Sequence, residues 1–215
     1  MNNHKLLLLG GGGHCKSVID SLLTSESYTE IGIIDNKRNI GKSICNIPII
    51  GCDDDLVELY QKGYTRAFVT VGSIGDPSIR LRLFRKLEQI GFETCNIIDK
   101  TAIISPHIKM ANGIFVGKNA VINAGTTIGK GAIINSSVTI EHDCIIEDFV
   151  HIASGGVLCG EVQVGKYAHV GAKSVVKQQI KIGMNSIIGI GSVVLHDIPE
   201  NVVAFGNPCK EERMR

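Results

Sequence analysis

From Val116 to Val194 an aliphatic residue returns at every sixth position, through Ile122, Ile128, Ile134, Ile140, Ile146 and onward without a miss. That spacing matches neither the 3.6-residue period of a helix nor the two-residue period of a flat strand. Unbroken hexads specify a left-handed parallel β-helix, in which three hexads close one triangular coil and the aliphatic side chain, position i, points into the prism. Ile104 and Met110 extend the frame upstream, so the first coil is expected to begin near 98 to 104. With strands stacked about 4.8 Å apart, some five coils give a prism roughly 25 Å tall.

Four residues after each aliphatic comes a side chain small enough to sit beside it, among them Ala120, Thr126, Ala132, Cys144, Gly156, Ala168 and Ser174. The sharp corners are expected to fall on Gly117, Gly129, Gly165, Gly171, Gly183 and Gly189 at i+1, because glycine tolerates unusual φ. No long loop interrupts the hexads.

The first 97 residues alternate apolar strands with helical patterns. Strands are expected at Lys5 to Leu9, Ile31 to Ile34, Ala67 to Val71 and Thr94 to Ile98, and helices at Ser17 to Leu23, Asp53 to Lys62 and Pro77 to Gln89. This order predicts a small, Rossmann-like α/β domain over 1–97, followed by the β-helix over 98–215. Ligands of such sheets sit at the carboxyl ends of the strands, here Gly10-Gly11-Gly12-Gly13-His14, Asp35-Asn36 and Gly72-Ser73. A glycine-rich turn opening a helix offers backbone N–H groups and a positive dipole end to a pyrophosphate. As a dinucleotide fingerprint it is incomplete, since the third glycine position falls on Cys15.

A net charge of +1 gives no attraction to nucleic acid or an anionic membrane. The run from Met1 into four leucines is too short for a signal peptide or a membrane span, which predicts a cytoplasmic protein. Seven cysteines without a C-x-x-C pair argue against a disulfide framework or a zinc knuckle.

Taken together, these features resemble the bacterial sugar acyltransferases related to the sialic acid O-acetyltransferases and the nucleotide 4-amino-sugar N-acetyltransferases. The resemblance rests on the glycine turn ending in His14, on Asp35-Asn36 and Gly72-Ser73, on Ile140-Glu141-His142-Asp143, and on the closing Gly206-Asn207-Pro208-Cys209-Lys210. It implies a homotrimer with acetyl-CoA as co-substrate and no metal. It implies a nucleotide-linked amino sugar, UDP- or dTDP-linked, bound by Gly12, Gly13, His14, Asp35, Asn36 and Gly72. His142 would be the general base and Asp143, with Glu141 in reserve, its carboxylate partner. Such a base needs a near-neutral pKa, which histidine supplies, and a carboxylate to fix the tautomer. Asp143 can serve only if the chain turns a corner there, because adjacent strand residues face opposite ways. His151, Gly160, Ala172 and Ile190 would contact acetyl-CoA, Gly160 as oxyanion donor, with Lys173 or Lys210 near its phosphates.

The register places His151 half a coil from His142 and one coil below His169, the last expected to be a solvated face residue. Three other readings compete. They are O-acetylation of a sialic acid or similar sugar, a zinc hydratase using His142, His151 and His169, and a non-catalytic nucleotide-sugar sensor.

Overall fold

A computed structural model of the chain describes residues 4–23 and 28–215. Residues 1–3 of the leader reading lie outside the described residues. The chain divides into two compact units, one of residues 1–73 and 78–97 and one of residues 74–77 and 98–215.

In the first unit, β1 (Lys5–Leu9), β2 (Glu30–Ile34), β3 (Ser43–Ile44), β4 (Ile47–Gly51), β5 (Arg66–Val69) and β6 (Glu93–Thr94) form one sheet in the order β3-β4-β2-β1-β5-β6. All pairings are parallel except the β3–β4 edge hairpin. The central β1 pairs on both edges and its Leu6–Leu9 are fully buried, which explains its continuous rather than alternating apolar run. Helices α1 (Gly13–Leu22), α2 (Leu56–Gln61) and α3 (Ser78–Ile90) link the strands.

Three sequence boundaries move. Helix α1 starts at Gly13 rather than Ser17, so the glycine turn forms its N-cap and first residue. The acidic stretch Asp53–Asp55 is a 3₁₀ turn and only Leu56–Gln61 is α-helical. The strand expected at Thr94 to Ile98 is two strands belonging to different sheets, since Ile97–Ile98 begins the β-helix.

The second unit is a parallel β-helix of two-residue strands recurring every six residues from Ile97–Ile98 to Val193–Val194. They stack in three sheets, each strand pairing in register with the one eighteen residues on, as Ile134 with Ile152 and Ile152 with Val170. The i residues from Val116 to Val194 and the small i+4 residues between them are buried and form one continuous core. The last sheet is extended by Val202–Gly206 and its antiparallel partner Cys209–Met214.

The corners differ from expectation. All thirteen i+3 positions from Asn119 to Gly191 have positive φ, and nine of them are not glycine. The i+1 glycines have ordinary φ and serve a different need. A Cβ at Gly165 would lie 2.7 Å from the Met184 backbone nitrogen, and one at Gly183 would lie 2.3 Å from that of Glu200. At these glycines the neighbouring coil approaches too closely for a Cβ, although other i+1 positions, Glu141 and Glu147 among them, carry side chains, and the left-handed turn at i+3 accepts many residue types.

Candidate active site

The corner after the strand Thr139–Ile140 carries His142 at i+2 and Asp143 at i+3. Asp143 adopts φ 59°, and this left-handed turn swings its carboxylate back onto its neighbour. Asp143 Oδ2 lies 2.9 Å from His142 Nδ1. That hydrogen bond, with smaller contributions from Asp143, Glu161 and Glu141 as charges, raises the His142 pKa above the ordinary histidine value. Glu141, the reserve carboxylate, instead accepts from Asn123 Nδ2 at 3.0 Å. Both His142 and Asp143 are more than half exposed, so the pair stands open to a ligand.

One coil on, Gly160 faces the imidazole. A Cβ there would lie 2.5 Å from His142 Nε2, so a side chain at 160 would displace the imidazole from this position. The imidazole packs directly over the Gly160 backbone, at the ring atom that would handle the proton.

The other cofactor candidates lie elsewhere on the prism. Ala172 and Ile190 stack one coil apart at a different corner, linked by the Gly191 N–H donating to the Ala172 carbonyl at 2.8 Å, and Ile190 is 78% exposed. His151 lies on the sheet preceding that corner. Within one chain, therefore, His142, Asp143 and Gly160 come together, while His151, Ala172 and Ile190 do not join them. Lys173 and Lys210 are exposed.

His151 and His169 pair in register, with ring centroids 4.8 Å apart in an edge-to-face arrangement. His169 is not solvated as expected but 7% exposed. Its Nδ1 is buried with no hydrogen-bond partner among the described residues. Burial first, and the neighbouring His151 second, push its pKa down to about 4. The folded state thus resists protonation that the unfolded chain, near pKa 6.5, accepts. The resulting stability is present above pH ~6.5 and is lost as pH falls toward ~4, by a loss on the order of 3 kcal/mol. Urea unfolding at pH 7.5 and 4.5 is expected to show this loss in the wild type and a smaller one in His169→Phe.

In the first unit, the strand ends converge as the alternation predicts. Gly10 N–H donates to the Ile34 carbonyl at 2.8 Å and Thr70 Oγ1 donates to the Gly10 carbonyl at 2.6 Å. A Cβ at Gly11 would lie 2.6 Å from Asp35 Oδ2, and one at Gly72 would meet the His14 Cβ at 3.7 Å. Gly12 caps α1 without a side-chain bond, and the first turn of that helix holds no acidic residue to offset its positive end. A Cβ on Gly12 or Gly13 would meet nothing within 4 Å, so open space lies in front of the turn.

A cavity of about 430 Å³ is lined by Gly10, Asp35 and Asn36, and also by Lys37, Cys52, Asp53, Asp54, Val71, Ile79 and Arg82. Gly12, Gly13, His14 and Gly72 are not among its lining. The added residues come from four separated segments, which no local sequence pattern groups together. Two local features of the sequence could have pointed to them, the acidic run Asp53–Asp55 and the basic residues Arg80, Arg82, Arg85 and Lys86 of α3. Around the cavity Lys37 pairs with Asp54 at 3.0 Å and Arg82 approaches Asp53 at 3.7 Å.

Residues 5–87 match the PglD N-terminal domain. Over 97% of both chains, the protein is 34% identical to perosamine N-acetyltransferase from Caulobacter crescentus, solved as a variant with CoA and GDP-perosamine, at a TM-score of 0.91. It is 31% identical to the acetyltransferase domain of PglB from Neisseria gonorrhoeae, solved with acetyl coenzyme A, covering 98% of this chain and 100% of that one at a TM-score of 0.91. WeeI from Acinetobacter baumannii, at 22% identity and a TM-score of 0.83, shares the fold. A curated relative is an uncharacterized protein of Acanthamoeba polyphaga mimivirus, 34% identical over 118 residues, of whose length the chain spans 22%. The chain belongs to the bacterial sugar acetyltransferases of the hexapeptide-repeat type.

Proposed function

We propose that this protein transfers the acetyl group of acetyl-CoA to the 4-amino group of a nucleotide-linked amino-deoxy sugar. The observation that carries the reading is the 2.9 Å His142–Asp143 pair, its imidazole packed over Gly160, in a chain similar along its length to enzymes solved with CoA, acetyl coenzyme A and GDP-perosamine.

Acetyl-CoA supplies an activated thioester. His142 Nε2 accepts a proton from the attacking amine, and Asp143 keeps Nδ1 protonated and balances the imidazolium that forms. The Gly160 N–H is the candidate donor to the developing oxyanion. His151, Ala172 and Ile190 are assigned to acetyl-CoA. Because they lie away from His142 in one chain, the assignment requires a neighbouring subunit. A homotrimer is supported by the outward column Ile103, Val121, Thr139, Val157, Val175 and Val193, which is aliphatic except at Thr139 and whose Ile103 is 68% exposed. The cavity at Asp35, Asn36 and Arg82, together with the glycine turn at Gly12, Gly13 and His14 beside Gly72, is assigned to the nucleotide sugar.

Among the described residues no helix is long and apolar enough to cross a membrane, and no group of three His, Cys, Asp or Glu could hold a metal ion. A cytoplasmic location accords with a nucleotide-sugar substrate.

The test is release of CoA from acetyl-CoA against UDP-, dTDP- and GDP-linked 4-amino sugars and free sialic acid. Turnover on at least one nucleotide amino sugar is expected. Turnover on free sialic acid alone would replace N-acetylation by O-acetylation. Binding of a nucleotide sugar without CoA release would support a sensor.

A further inference from the structure

At the corner that carries His142, residues eighteen apart form a column running Gly125, Asp143, Glu161 and Gln179. Each has positive φ. Glycine is not required there by the backbone, since nine of the thirteen equivalent i+3 positions carry side chains with the same left-handed conformation. Gly125 differs in what stands against it. A Cβ on Gly125 would lie 2.0 Å from Asp143 Oδ1 and 3.3 Å from the Asp143 nitrogen. The other carboxylate oxygen, Oδ2, is the one 2.9 Å from His142 Nδ1. The carboxylate therefore straddles two neighbours, one oxygen resting in the space left by Gly125 and the other on the imidazole. On the opposite side of the column, Glu161 is occupied by the Gln179 side-chain amide, which donates to its two oxygens at 3.4 and 3.3 Å.

We propose that Gly125 is a positioning residue for the acetyl transfer, its missing side chain being what lets Asp143 fold back onto His142. The inference rests on the reading of His142 as base only for its kinetic consequence, since the geometry itself concerns the histidine–carboxylate pair. Any side chain at 125 forces the Asp143 carboxylate outward. Rotation about χ1 and χ2 then separates Oδ2 from Nδ1, and the imidazole loses the partner that fixes its tautomer. The charged groups facing His142 are Asp143 beside it, Glu141 on its own turn and Glu161 one coil on; His107 lies one coil below Gly125, its carbonyl accepting the Gly125 N–H at 2.9 Å. Only the Asp143 contact depends on residue 125.

The test is NMR titration of the His142 ring in the wild type, Asp143→Ala, Gly125→Ala and the double variant, with kcat and the KM for acetyl-CoA measured in parallel. Asp143→Ala is expected to lower the His142 midpoint. Gly125→Ala is expected to lower it to the same place, and the double variant no further. The kcat of Gly125→Ala should fall to that of Asp143→Ala with the KM for acetyl-CoA unchanged. Gly125→Asn repeats the experiment with a residue that already occupies this conformation at Asn119 and Asn185. A wild-type midpoint in both Gly125 variants overturns the proposal. So does failure of both to fold, which would make the glycine a folding requirement instead. A lowered midpoint with an unchanged transfer rate leaves the positioning intact and overturns His142 as the base.

Discussion

Replacement of His142 by alanine is expected to lower the acetyl-transfer rate by about 10²–10⁴-fold, the range over which a positioned general base contributes. The fold should be unaffected. His142 sits at an exposed i+2 corner, and its backbone carbonyl, which accepts the Glu161 N–H at 2.9 Å, survives the change. The loss should appear in kcat rather than in the KM for the sugar, because the first unit holds the candidate nucleotide cavity without His142. Residual activity should lose the acid limb of its pH profile. In the wild type that limb reflects protonation of His142, and it lies above the position of an isolated histidine because Asp143 favours the charged ring. Steady-state kinetics from pH 5.5 to 9 measures both effects. A rate within a factor of a few of wild type would remove His142 from the chemistry.

The largest stability effect is expected inside the prism. Ile152 is fully buried and lies in register between Ile134 and Val170, with aliphatic neighbours above, below and across the coil. Ile152→Ala removes buried methyl and methylene groups and leaves a cavity that stacked coils cannot collapse around, because their spacing is fixed by the backbone ladders. The expected cost is about 2–5 kcal/mol. For a chain of this size it corresponds to a fall in melting temperature on the order of 10 °C. Gln163→Ala, an outward substitution one strand-face away, should change stability by less than about 0.5 kcal/mol. Thermal unfolding followed by circular dichroism separates the two, and equal effects would contradict the assignment of the i frame to the interior.

The parallel between sequence and structure is closest where one physical constraint acts at every repeat. Each i side chain must enter the same narrow prism, so the period alone announces Ile152 and its thirteen companions. The glycines mislead because two constraints compete at the corners. Close approach of the next coil selects glycine at some i+1 positions, such as Gly165 and Gly183, while the left-handed turn falls at i+3, where Phe149, Tyr167 and Lys173 all occur. His169 departs from expectation for a related reason: the alternation says that its side chain points outward, but not what covers that side. The Asp143–His142 pairing was legible only as a condition, that the chain turn there, and φ 59° at Asp143 meets it. In the first unit the glycine turn and Asp35 stood out, whereas Cys52, Asp54 and Val71 reach the cavity through the sheet order β4-β2-β1-β5, which no local pattern encodes.

The acetyl group is expected to end on the nitrogen of a nucleotide-linked amino sugar. Incubation with acetyl-CoA carrying a ¹³C-labelled acetyl carbonyl and the amino-sugar nucleotide that releases CoA, followed by NMR of the isolated product, reads that bond directly. The predicted result is a labelled amide carbonyl coupled to the proton on the sugar nitrogen and stable to hydroxylamine. A hydroxylamine-labile ester on a sugar oxygen would contradict it.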